Sequence, residues 1–110
     1  MNATRLGEIL FHDATIRRVV ELPDSHELLF YVDYPVDWER NMFEPRIIAF
    51  QGVLDYHVEE GWCEGCPVLL DYEEFAGRDG WSGVILNTNH GTRRLLFRGV
   101  ELRNMPVSGE

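Results

Sequence analysis

Cys63 and Cys66 stand in a C-x-x-C spacing, which is half of the ligand set that a tetrahedral zinc site needs. His57 and His90, each near the end of an expected strand, are the candidates for the other half. No second C-x-x-C and no H-x-x-x-H reinforces them. A thioredoxin-type redox site needs a helix behind the cysteines, and Pro67 with its β-rich flanks argues against one. Two reduced cysteines in a turn, with no metal and no cofactor, is the plainer expectation. A second set is His12-Asp13 with Asp33 and Asp37. A histidine beside carboxylates can serve as a general acid/base, provided the fold brings the groups together. His12, Asp13 and Asp33 would then line the pocket of a small enzyme or ligand-binding domain. The same residues also suit a solvated strand end.

A third set joins acids to aromatics: Asp33, Tyr34, Asp37, Trp38 and Glu39, then Trp62, Glu64, Asp71, Tyr72, Glu73, Glu74 and Trp81. Rings can anchor a protein interface while flanking carboxylates select a basic partner. Asp33, Asp37, Trp38, Glu39, Glu73 and Glu74 are the expected contact residues. The competing expectation is that the tryptophans close the core of a small sheet. Asp24-Ser25-His26 has the residue types of a hydrolytic triad, but consecutive residues cannot converge as a triad must. The chain has no G-x-S-x-G, G-x-G-x-x-G or P-loop, and without a lysine it has no Schiff-base chemistry.

The elements that must position these groups read as strands. Residues 28–38, LLFYVDYPVDW, form the densest run of aromatic and β-branched residues. Leu28, Phe30, Val32 and Tyr34 share one face, and Leu29, Tyr31 and Asp33 the other. Both faces are partly apolar, which predicts a central strand covered on two sides, ending at Pro35. Residues 14–22 (ATIRRVVEL) should pair with it through a turn at Pro23-Asp24-Ser25-His26. The connection over residues 36–45 is too apolar for a free loop, so it is expected to fold back over the sheet.

Residues 46–59 (RIIAFQGVLDYHVE) predict a strand with a bulge or bend at Gly52. Beyond Gly52, Val53, Asp55, His57 and Glu59 alternate with Leu54, Tyr56 and Val58 as a half-exposed strand. Residues 68–75 could be a short strand or a helical turn. Residues 84–89 and 93–102 predict a second hairpin turning at Asn89-His90-Gly91-Thr92. Residues 1–7 and 104–110 read as loose ends. The expected fold is mainly β: one antiparallel domain over residues 1–110, a sandwich, barrel or strongly bent sheet of five to seven strands with at most one short helix.

The chain has 110 residues, the size of one domain. Ten arginines against nineteen acids give a formal charge of −9. That surplus repels phosphate backbones, so no direct nucleic-acid partner is expected, and it attracts basic ones. No apolar run approaches the roughly 20 residues of a membrane span, and residues 9–11 are too short a core for a signal peptide. A cytoplasmic location, with no membrane partner, is the default expectation.

His12-Asp13, LLFYVDYPVDW and RIIAFQGVLDYHV together resemble a group of small bacterial domains that includes immunity-type proteins encoded near secreted toxins. The likeness spans residues 11–58 and rests on an early His-Asp pair, a strand ending in Asp-Tyr with a tryptophan shortly after, and a following apolar strand. The resemblance implies a β-rich fold and permits an inhibitor role, and it carries over no catalytic residue. The leading expectation is therefore a protein-binding module that masks a basic partner. A small enzyme or ligand-binding domain and a structural homodimer built on an unpaired edge strand are the alternatives.

Overall fold

The computed structural model describes residues 5–37, 39–62 and 64–105. They form eight strands and one 3-10 turn, Leu6–Glu8. The strands are β1 (Thr15–Leu22), β2 (Glu27–Asp37), β3 (Met42–Gln51), β4 (Leu54–Glu60), β5 (Leu69–Phe75), β6 (Ser82–Thr88), β7 (Gly91–Phe97) and β8 (Gly99–Asn104). Two antiparallel sheets of four result, β1-β2-β3-β8 (sheet A) and β4-β7-β6-β5 (sheet B). The mainly β, single-domain expectation holds, and no described helix is long and apolar enough to cross a membrane.

The first hairpin turns where the proline and the polar residues demand it. Leu22 faces Glu27, the Ser25 N–H donates to the Leu22 carbonyl at 3.2 Å, and His26 takes a positive φ of 55°. β2 does not stop at Pro35; it runs on to Asp37, paired with β3. β1 pairs with β2 only as far as Asp33, so beyond that residue one side of β2 needs no ladder donor and a proline is tolerated. Pro45 on β3 is accommodated in the same way, because β8 pairs with β3 only from Arg46 onward. Residues 36, 37 and 39–45 therefore extend the β2–β3 hairpin instead of folding back over the sheet. Met42 and Phe43 lie in β3 and stay exposed.

The strand expected over residues 46–59 breaks at Gly52, and the one over 93–102 breaks at Arg98. Both breaks mark the same corner. Gln51 faces Gly99 on sheet A and Leu54 faces Leu96 on sheet B, so two long bent strands stay paired as they pass from one sheet to the other. The Arg98 N–H donates to the Gln51 carbonyl at 2.8 Å, and the Trp81 indole N–H donates to the Gly52 carbonyl at 2.8 Å. Gly52 has φ +63°, and a Cβ there would meet three Arg98 side-chain carbons at 2.9–3.0 Å. Only glycine meets both conditions without strain.

The far side is stitched by residues 13–16. The Asp13 N–H donates to Leu69 O, the Leu69 N–H to Ala14 O and the Ile16 N–H to Pro67 O, all at 2.8 Å. These bonds join the start of β1 to the start of β5, so the two sheets approach a flattened barrel. Inside, Leu28, Phe30, Val32, Ile48 and Phe50 from sheet A meet Leu69, Val84, Leu86, Leu95 and Phe97 from sheet B. Phe50 contacts Phe30 and Phe97 edge-on, with centroids 5.8 and 5.2 Å apart. Each such buried side chain contributes about 1.5–3 kcal/mol. The described part of the amino-terminal segment is not a loose end. Leu6, Ile9 and Phe11 are buried in this core, and the Leu10 N–H donates to the Tyr34 hydroxyl at 2.7 Å.

Candidate functional site

The outer faces of the two sheets treat their charges differently. On sheet A, Leu29, Ile47 and Ala49 form a small second apolar cluster, and arginines answer the acids around it. Arg103 pairs with Glu101 on its own strand and reaches across β3 to Glu27 at 2.9 Å. Arg17, the residue bulged out of the β1 register, holds Asp33 at 2.5 and 2.7 Å, and this contact raises the guanidinium pKa further.

Sheet B presents two cross-strand rows outward. Strand register sets Glu73, Ile85, Arg94 and His57 in one row and Asp71, Asn87, Thr92 and Glu59 in the next. Val84, Leu86 and Leu95, alternating with them, point into the core. The Asn87 amide donates to Asp71 at 2.6 Å and to Glu73 at 3.0 Å. A neutral amide orients both carboxylates and cancels neither charge. Among the described residues, no arginine ion-pairs with Glu59, Asp71 or Glu73. The one cation in the rows, Arg94, lies over the Phe75 ring at 4.5 Å. A shallow groove of about 410 Å³ runs between the rows. A neighbouring one of about 400 Å³ is lined by Phe75, Arg94 and the Asp55–Arg78 pair, which closes at 2.7 Å.

Beside Asp71 the character changes. Residues 9–12 and 70–72 line a groove of about 520 Å³ whose walls are almost wholly apolar. Phe11 and Tyr72 pack at 4.9 Å to form its floor, while Leu10 and Leu70 stand 56% and 42% exposed at its lip. The His12 ring bonds the Leu70 carbonyl at 2.6 Å and approaches Asp13 at 3.5 Å, which fixes residues 9–12, the amino-terminal strap, against β5.

A further polar cluster lies between the sheets. Arg93 grips Glu60 with two bonds, at 2.9 and 2.7 Å, and donates to the Tyr56 hydroxyl at 2.9 Å. The Thr88 hydroxyl donates to the same carboxylate at 3.2 Å. Burial pushes the Tyr56 phenol up, and Arg93 offsets only part of that. Burial also opposes the Glu60 charge, but Arg93 and Thr88 outweigh it and hold the carboxyl below its ordinary range. These bonds run among the cluster's own members and tie the ends of β4 and β7 together.

The residues singled out in the sequence fall as follows. Asp33 is engaged by Arg17, whereas His12 and Asp13 sit on the β5 side. Neither Asp13 nor Asp33 lines the groove at His12. Asp37 accepts the Arg40 N–H at 3.2 Å and shapes the β2–β3 turn, where Glu39 is exposed. Glu73 belongs to the outer rows of sheet B, but Glu74 opposes Val84 and so lies on the other face. Trp38 and Cys63 lie outside the described residues. Among the described residues, no three His, Cys, Asp or Glu side chains gather to hold a metal ion, and His57, His90 and Cys66 do not converge. Of the tryptophans, Trp81 is committed to the corner, with Arg98 over its ring at 4.8 Å, and Trp62 is 90% exposed. Glu59, Asp71 and Asn87 were not singled out as a set. Only the order β4-β7-β6-β5 unites them, although alternation does place His57 and Glu59 on one face.

No protein-family model matches the chain, and neither a curated protein nor a solved structure matches it.

Proposed function

We propose that this protein is a binding module that masks a basic partner protein, in the manner of an immunity-type inhibitor. One observation carries the reading: among the described residues Glu59, Asp71 and Glu73 on the outer face of sheet B make no ion pair with an arginine, while on sheet A Arg17 pairs with Asp33 and Arg103 pairs with both Glu27 and Glu101. A net charge of −9 gives the whole molecule the same preference. A rigid sheet is suited to this task, because it holds charges at fixed spacing and loses little entropy on binding.

The test is affinity capture from the protein's own host at low ionic strength, with mass spectrometry of what is retained. The expected result is a basic protein released by salt and lost when Glu59, Asp71 and Glu73 are replaced by their amides. Screening predicts the salt effect, because the Debye length shrinks to roughly 3 Å at 1 M. Retention of no protein, or of a partner indifferent to both salt and the amide variant, counts against the reading.

A further inference from the structure

We infer that the groove between the amino-terminal strap and β5 is an anchor pocket for one bulky apolar side chain of the partner, flanked in the partner's sequence by arginine or lysine. The inference rests on the binding-module reading and adds where the partner docks and what its docking segment looks like. Three features carry it. The groove, at about 520 Å³, falls in the size range of natural binding pockets, and its walls are apolar apart from His12 and Asp71. It is built on fixed structure, since the strap is held by Leu10 on Tyr34, by His12 on Leu70 and by Asp13 on Leu69. The one acid in its lining is Asp71. Asp71 lies at the lip and is bonded through Asn87 to Glu73, so the apolar pocket opens directly onto the unbalanced acidic rows.

Charge complementarity then fixes the occupant. A side chain that enters the pocket and covers Leu10 and Leu70 brings its chain neighbours to within reach of Asp71 and Glu73. An apolar residue with basic neighbours satisfies both parts at once. An acidic or neutral segment would fill the pocket and leave the carboxylates facing like charge or nothing. The arrangement has the usual anatomy of a recognition site, with a desolvated apolar anchor beside a polar rim.

The probes are three synthetic peptides: an arginine-rich peptide with a central leucine, the same peptide with a central alanine, and a glutamate-for-arginine version of the first. Each is titrated into isotope-labelled protein at low salt and followed by two-dimensional amide NMR. The leucine peptide should bind at least tenfold more tightly than the alanine peptide and shift the amides of residues 9–12 and 70–73. The glutamate peptide should not bind. Leu70→Asp should abolish the leucine preference. Leu10→Ser provides a second variant should the first perturb the fold, which the spectrum itself reports. If both arginine peptides bind equally and shift only the sheet B rows, the pocket assignment is wrong and the acidic-face reading stands. If no arginine peptide binds, the acidic-face reading falls as well. A concentration-dependent dimer that Leu70→Asp dissolves would make a second copy the occupant and overturn the inference.

Discussion

At the scale of single residues, the most consequential side chains are Arg93 and Glu60, only 13% and 11% exposed between the sheets. Neither residue type is favoured there, and removing one partner leaves the other charge buried and unanswered. Glu60→Gln should therefore cost about 2–4 kcal/mol at neutral pH. The sign of the pH dependence follows from the lowered Glu60 pKa. Its contribution is present above the ordinary glutamate range and is lost as pH falls through the lower folded value. Urea midpoints measured from neutral pH to about pH 2 should show the gap between native and variant proteins narrowing in acid. A gap that stays constant would place the effect in packing, not in the carboxylate. The raised Tyr56 phenol acts at the other end of the scale: its contribution holds below the ordinary tyrosine range and fades as pH rises through the raised value. Tyr56→Phe should flatten that alkaline limb.

At the scale of elements, the corner and the strap hold the sheets in register. Gly52→Ala meets both a positive φ and the Arg98 side chain, and should cost about 1–3 kcal/mol. Trp81→Phe removes one hydrogen bond to the same residue, at about 1 kcal/mol. Because the two changes share one contact set, the double variant should fall short of their sum by at least about 0.5 kcal/mol in urea unfolding. The strap has its own test. Tyr34→Phe removes the acceptor for the Leu10 N–H, and hydrogen exchange at residues 9–12 should quicken while the core strands keep their protection. Much of this architecture was legible locally. Alternation marked the strands, Pro23-Asp24-Ser25-His26 marked the first turn, and Gly52 marked a bend. The second half of the corner carries the same kind of mark in Gly99, but the strand pattern runs on through it, and the bend is fixed only by pairing with residues 51–54. Pro35 misled for a related reason: whether a strand tolerates proline depends on where its neighbour ends. The start of the chain reads as a loose end as far as Gly7 because the core partners of Leu6 are distant in sequence.

At the scale of the whole molecule, the acidic rows and the apolar groove should control different kinetic constants. Long-range attraction accelerates encounter and is screened by salt, whereas a filled apolar pocket slows departure. The candidate site combines the two, and this combination was only partly legible, since the rows require four strands in a non-sequential order while the groove requires the strap. Stopped-flow measurements with the leucine-centred arginine peptide separate them. Replacing Glu59, Asp71 and Glu73 with their amides should lower the association rate about tenfold at low salt and flatten its salt dependence, with a smaller effect on dissociation. Removing the same number of charges from exposed acids elsewhere, at Asp24, Glu39 and Glu64, should slow association by less than about threefold, because those charges lie outside the sheet B rows. Leu10→Ser, which adds no charge, should do the reverse of the amide variant, leaving association nearly unchanged and speeding dissociation about tenfold or more. If the two triple variants slow association equally, the molecule attracts basic partners through its overall charge alone, and sheet B has no privileged role.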